Sequence, residues 1–72
     1  MRLHDKNATS VNIFEIIWAI IYAEEDIATK RTNYAIMIKF KNDMSIYALY
    51  EDVNIRNSDY AQLCEEMDKC QK

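Results

Sequence analysis

The chain contains neither glycine nor proline anywhere in its 72 residues. Average usage would supply about five and four of them. Without glycine there is no phosphate-binding loop, no dinucleotide fingerprint and no EF-hand loop, because each needs backbone that only glycine adopts cheaply. Tight turns must instead be built from residues such as Asn and Asp, which tolerate the left-handed region. One histidine and two cysteines leave a four-ligand zinc site dependent on carboxylates, an uncommon ligand set. No cofactor is expected.

At 72 residues the chain is one small domain, and a domain of this size buries only about 60% of its unfolded surface. Half of the residues are apolar and 29% are charged, a globular balance rather than a disordered one. A net charge of −3 disfavours a general polyanion binder, whose affinity comes from neutralising phosphates. The opening Met1-Arg2-Leu3-His4-Asp5-Lys6 lacks the apolar core of a secretion signal. The apolar run Val11–Ala23 is shorter than the roughly 20 residues of a membrane span. A cytoplasmic location is therefore expected, with no membrane partner.

Residues 1–10 are polar and unpatterned and read as a flexible N-terminal arm, leaving 11–72 as a single domain. In Val11–Ala23, 11 of 13 positions are apolar and nine are β-branched or aromatic, which favours a strand. Its even positions, Phe14, Ile16, Trp18, Ile20 and Tyr22, form one bulky face, and the odd positions are apolar as well except Glu15. A helix over residues 10–28 is the alternative, because periodicity alone does not decide so apolar a run. Residues 24–32 are charged and read as a connection. In Asn33–Lys41, Tyr34, Ile36, Ile38 and Phe40 alternate with smaller or charged residues, the pattern of a half-buried strand. Asn42-Asp43 punctuates, and Met44–Glu51 returns. A two-residue turn would set Ile38 opposite Tyr47; a three-residue loop would set it opposite Ile46. From about 58 to 70 the period becomes 3.6, with Tyr60, Leu63, Cys64 and Met67, then Cys70 or Gln71, on one stripe. Asn57, Ser58 or Asp59 would cap this amphipathic helix, and Glu65–Lys69 and Asp68–Lys72 have favourable i, i+4 spacing.

These readings assemble into an α+β domain: a three-stranded antiparallel meander, β-β-β-α, with the C-terminal helix packed on one face. The alternative is α-β-β-α. One helix covers one sheet face, yet the first strand is apolar on both. The second face is therefore expected to meet another protein, a second copy first.

Candidate chemistry is sparse. Cys64 reads as a small core residue and Cys70 as a free thiol. His4 and Asp5 read as a solvated pair in the arm, and Glu24-Glu25-Asp26 as a solvated charge run. A nucleophilic cysteine needs a base and an oxyanion site, and no such constellation stands in the sequence, so no enzyme is expected. Lys39, Lys41 and Tyr47 form the one candidate small-ligand or single-stranded nucleic-acid site, by basic contacts and stacking. The primary expectation is a non-enzymatic protein-binding module, too small to act without a partner: a homodimeric accessory or regulatory protein or inhibitor, of the kind phages and other mobile elements encode. Trp18, Tyr22, Tyr47 and Leu49 are its expected anchors, since aromatic side chains carry a disproportionate share of interface energy.

Overall fold

The computed structural model describes residues 1–70. A 3₁₀ turn (Ile13–Glu15) leads into β1 (Ile16–Asp26), β2 (Arg31–Phe40), β3 (Ser45–Tyr50) and a helix α1 (Val53–Cys70). The strands form one antiparallel sheet in the order β1-β2-β3. This is the β-β-β-α meander; residues 16–26 are strand, so the helical alternative over 10–28 does not form.

The first strand begins later than its apolar run. Asn12 accepts a hydrogen bond from the Phe14 amide at 3.1 Å and caps the 3₁₀ turn. The Ile16/Trp18 step then carries a bulge: Ile16 lies opposite Phe40, whereas Trp18 lies opposite Lys39. A bulge adds one residue and reverses the alternation beyond it. Ile16 is therefore buried in the core while Trp18 looks the other way, and the single even face expected from Phe14 to Tyr22 is split.

The charged connection shrinks to residues 27–30, because Glu24–Asp26 and Arg31–Thr32 pair within the sheet. Lys30 closes the loop at φ 57°, donating its amide to the Asp26 carbonyl at 2.7 Å. The second hairpin uses the three-residue loop. Asp43 donates to the Phe40 carbonyl at 3.1 Å and sits at φ 67°, and Phe40 donates to Met44 at 2.8 Å. Ile38 then faces Ile46 and Ile36 faces Ala48. A left-handed residue after a type I turn ordinarily calls for glycine; here Asp43 fills the place.

The helix starts at Val53, more than a turn before the expected boundary. Asp52 caps it, accepting from the Asn54 amide at 2.8 Å. The buried stripe is Arg56, Asp59 and Leu63, with Tyr60 and Met67 half-buried beside it. Cys64, expected in the core, is exposed, one position off that stripe. Lys69 pairs with Glu65 as expected, at 3.6 Å. Gln71 and Lys72 lie outside the described residues.

The N-terminal arm is folded rather than loose. Leu3 is fully buried in the core with Val11, Ile16, Ile36, Ile38, Ala48, Tyr50 and Leu63. Residues 1–11 double back on themselves: Leu3 donates to Thr9 at 2.8 Å and Val11 to Met1 at 2.8 Å. The Asp5 carboxylate holds the turn by accepting from both the amide and the hydroxyl of Thr9 at 2.7 Å. Short-range polar bonds of this kind leave no periodic trace in a sequence, and one apolar residue, Leu3, does the anchoring.

Candidate functional site: an uncovered sheet face and a free strand edge

Helix α1 covers the sheet face carrying Ala19, Tyr34, Ile36, Ile38, Ile46, Ala48 and Tyr50. The opposite face carries Trp18, Ile20 and Tyr22 from β1, Ala35, Met37 and Lys39 from β2, and Tyr47 and Leu49 from β3. All four expected anchors, Trp18, Tyr22, Tyr47 and Leu49, lie on it. Trp18 is 39% exposed, Ile20 45% and Tyr47 56%. Tyr22 and Tyr47 meet edge-to-face across β2, ring centroids 6.2 Å apart at 87°, an arrangement the aromatic quadrupole favours. Burial, followed by the proximity of Tyr47 and Glu24, raises the Tyr22 hydroxyl pKa above its usual value. Ile20 and Met37 also belong to this surface. Ile20 shares the Trp18–Tyr22 alternation and was detectable from it; Met37 sat on the less apolar side of its strand.

Lys39 and Tyr47 share this face, but Lys41 does not join them. Its amide donates to the Glu15 carbonyl at 2.8 Å beyond the end of β2, and it lines a depression with Ile13, Phe14, Ile16 and Met67. Lys39 is held locally, its ammonium donating to the Asp43 carbonyl at 3.0 Å. The structure thus splits the three residues of the candidate ligand site. Glu15, the acid of the apolar run, is exposed in the 3₁₀ turn.

The two edges of the sheet differ. At β3, Lys6 of the folded arm donates its amide to the Leu49 carbonyl at 2.9 Å. At β1, the long strand Ile16–Asp26 has β2 as its only strand neighbour among the described residues. Over Ile16–Ala23 it is apolar on both faces, with Ile17 and Ile21 exposed on the side of α1 and Trp18 and Ile20 on the other. An uncovered strand edge leaves its outward backbone groups as a template for a further strand.

One polar cluster is buried. Asp59 on α1, 3% exposed, accepts from the His4 amide at 2.5 Å, from His4 Nδ1 at 2.8 Å and from the Tyr50 hydroxyl at 2.8 Å. Burial alone would raise the Asp59 carboxyl; the bonds from His4 and Tyr50 outweigh it and hold the group below the usual carboxylate range. Tyr50 is pushed far above its usual value by burial first, then by its bond to Asp59. His4, read from sequence as solvated, therefore ties the N-terminal segment to the helix, although its side chain remains largely exposed. Nothing local in the sequence marks a pairing 55 residues apart. Arg56 is buried too, over the Tyr34 ring at 5.4 Å, donating to the Tyr22 carbonyl at 3.0 Å. Both cysteines are exposed free thiols. Among the described residues no three His, Cys, Asp or Glu side chains are grouped to hold a metal ion, and no helix is long and apolar enough to cross a membrane.

Comparison with protein families, curated proteins and solved structures gives no match.

Proposed function

We propose that this chain is a small non-enzymatic protein–protein interaction module, homodimeric, which presents its uncovered sheet face to a protein target as an accessory or regulatory factor. The observation that carries this reading is the open face itself: Trp18, Ile20, Tyr22, Met37, Tyr47 and Leu49 form one contiguous apolar, largely aromatic surface. Exposed apolar clusters of this kind are interaction sites in soluble proteins. Tyr and Trp suit the role, since each combines large apolar area with a polar tip and few rotatable bonds.

The test is sedimentation of the wild-type chain and of a Trp18→Ala/Tyr47→Ala variant over a range of concentrations, with far-UV circular dichroism confirming the fold. The wild type is expected to sediment as a dimer, and the variant, through the loss of Trp18, to dissociate at lower dilution. An unchanged association in a folded variant would remove this face from the interface.

A further inference from the structure

We propose that the second copy adds at the free edge of β1, by antiparallel β1–β1 pairing centred on Ile20, so that two sheets join into one of six strands. This rests on the reading above and names where the homodimer forms.

The direction of the backbone groups comes first. In an antiparallel ladder a hydrogen-bonded pair exchanges both of its bonds. Phe40 bonds to Met44 across β2–β3, and Lys41 donates to Glu15 on the other side. Odd-numbered residues of β2 therefore address β1, and Trp18, Ile20 and Tyr22 answer them opposite Lys39, Met37 and Ala35. Ala19, Ile21 and Ala23 direct their N–H and C=O groups outward, away from the sheet. The Tyr60 hydroxyl reaches one of these, the Ala19 carbonyl, at 3.2 Å; a carbonyl has a second lone pair for a strand partner. The usual protections of an edge are a proline, an inward charge, or a covering segment. The arm supplies such cover at β3, and Ile16–Ala23 carries neither a proline nor a charge.

The side chains then select the occupant. Centring the pair on Ile20 sets Trp18 against Tyr22 of the second copy and Ile20 against Ile20 on the open face. On the helix face it sets Ala19 against Ile21 and Ile17 against Ala23, small opposite large at each place. Charge selects the direction. Parallel addition would align the two Glu24-Glu25-Asp26 ends side by side, whereas like charges directly opposed on neighbouring strands are destabilising. Antiparallel addition separates the two acidic ends and carries each to the end of the other sheet that holds Lys39, Lys41 and the single acid Glu15 of the 3₁₀ turn. Two strand spacings separate each acidic end from those lysines, about 10 Å, within the combined reach of lysine and glutamate side chains. The joined sheet keeps both helices on one side. Its open face grows from on the order of 300 Å² for three strands to about twice that, about three quarters of the roughly 800 Å² per partner of a standard protein interface.

The experiment uses a Cys64→Ser/Cys70→Ser chain, which removes the native thiols. Ile20→Cys and Tyr47→Cys are introduced separately, and each is mildly oxidised as the folded protein. Pairing at the edge places the two Ile20→Cys side chains opposite each other on the two-fold axis, within reach of a disulfide. The expected result is an intersubunit link at position 20 and none at position 47. A separate Ile21→Pro variant, folded by circular dichroism, is expected to be monomeric, because proline removes an outward N–H without touching the β1–β2 ladder. Tyr47→Ala is expected to stay dimeric. A link at 47 and not at 20, with Ile21→Pro still dimeric, would overturn edge pairing while leaving the open face as the interface between copies. A wild-type monomer with no link at either position would overturn edge pairing and the homodimer together.

Discussion

Removing the Asp59 carboxylate is the sharpest internal perturbation of this fold. Asp59→Ala deletes three bonds at once, from the His4 amide, His4 Nδ1 and the Tyr50 hydroxyl. The Tyr50 hydroxyl is left in the core, on a residue only 2% exposed, and stranding a buried donor costs about 1–3 kcal/mol. The half-buried His4 amide adds about 1 kcal/mol by the same reasoning, while the largely exposed His4 ring regains water at little cost. Alanine's better helix propensity returns about 0.5 kcal/mol. The expected net loss is about 2.5 kcal/mol, a large part of the roughly 4–11 kcal/mol available to a domain of this length. Tyr50→Phe removes one bond and strands no polar group, since Asp59 keeps its bonds from His4, for about 1 kcal/mol. In the double variant no hydroxyl is stranded, so the loss should be about 1.5 rather than the additive 3.5 kcal/mol, a coupling of about 2 kcal/mol. Urea unfolding at neutral pH and low micromolar concentration, followed by circular dichroism, reads these differences with little contribution from association. A loss below about 1 kcal/mol for Asp59→Ala, or strict additivity in the double variant, would refute the assignment of this cluster as the tie between arm and helix.

Other outcomes follow from the same geometry. Asp59 is more acidic folded than unfolded, so its contribution is present above the unfolded carboxyl value near 4 and lost as pH falls through its lower folded value; Asp59→Asn should flatten that acid limb of the urea midpoint. Tyr50 is shifted upward, so its contribution holds below about pH 10 and declines above it, and Tyr50→Phe should reduce the alkaline loss. Leu63→Ala, at a fully buried position under the sheet, should cost about 2–5 kcal/mol, whereas Cys64→Ala on the exposed side should stay within about 0.5 kcal/mol in thermal unfolding. Lys30→Gly should stabilise by up to about 1 kcal/mol, because Lys30 holds φ 57° and glycine adopts that region without steric cost; a loss of stability would contradict the loop geometry.

The sheet was readable wherever the physics was local and repetitive. The Tyr34–Phe40 alternation identified β2 and the face it buries, and Leu63 and Met67 located the covered side of α1. The anchors Trp18, Tyr22, Tyr47 and Leu49 were placed together by the same period-two logic. Elsewhere the determinants were long-range or single-residue. The bulge at Ile17 reversed the alternation inside a run apolar on both sides, so no pattern marked it. The first turns of α1 were hidden because their buried positions are Arg56 and Asp59, polar residues satisfied by Tyr22, Asn57, His4 and Tyr50. The arm looked unstructured because its order comes from Leu3 and a few polar bonds. Lys41 was grouped with Lys39 by sequence proximity, but the strand ends between them and the hairpin carries it away.

Amide hydrogen exchange along β1, measured by nuclear magnetic resonance at high and low protein concentration, tests most directly the claim that this chain associates through the edge of its sheet. Within one chain, the Trp18, Ile20 and Tyr22 amides bond to β2 while those of Ile21 and Ala23 point outward. With the edges paired, Ile21 and Ala23 are protected like Ile20 and Tyr22 at high concentration and lose that protection on dilution. Fast exchange of Ile21 and Ala23 at every concentration, with Ile20 and Tyr22 still protected, would contradict that pairing.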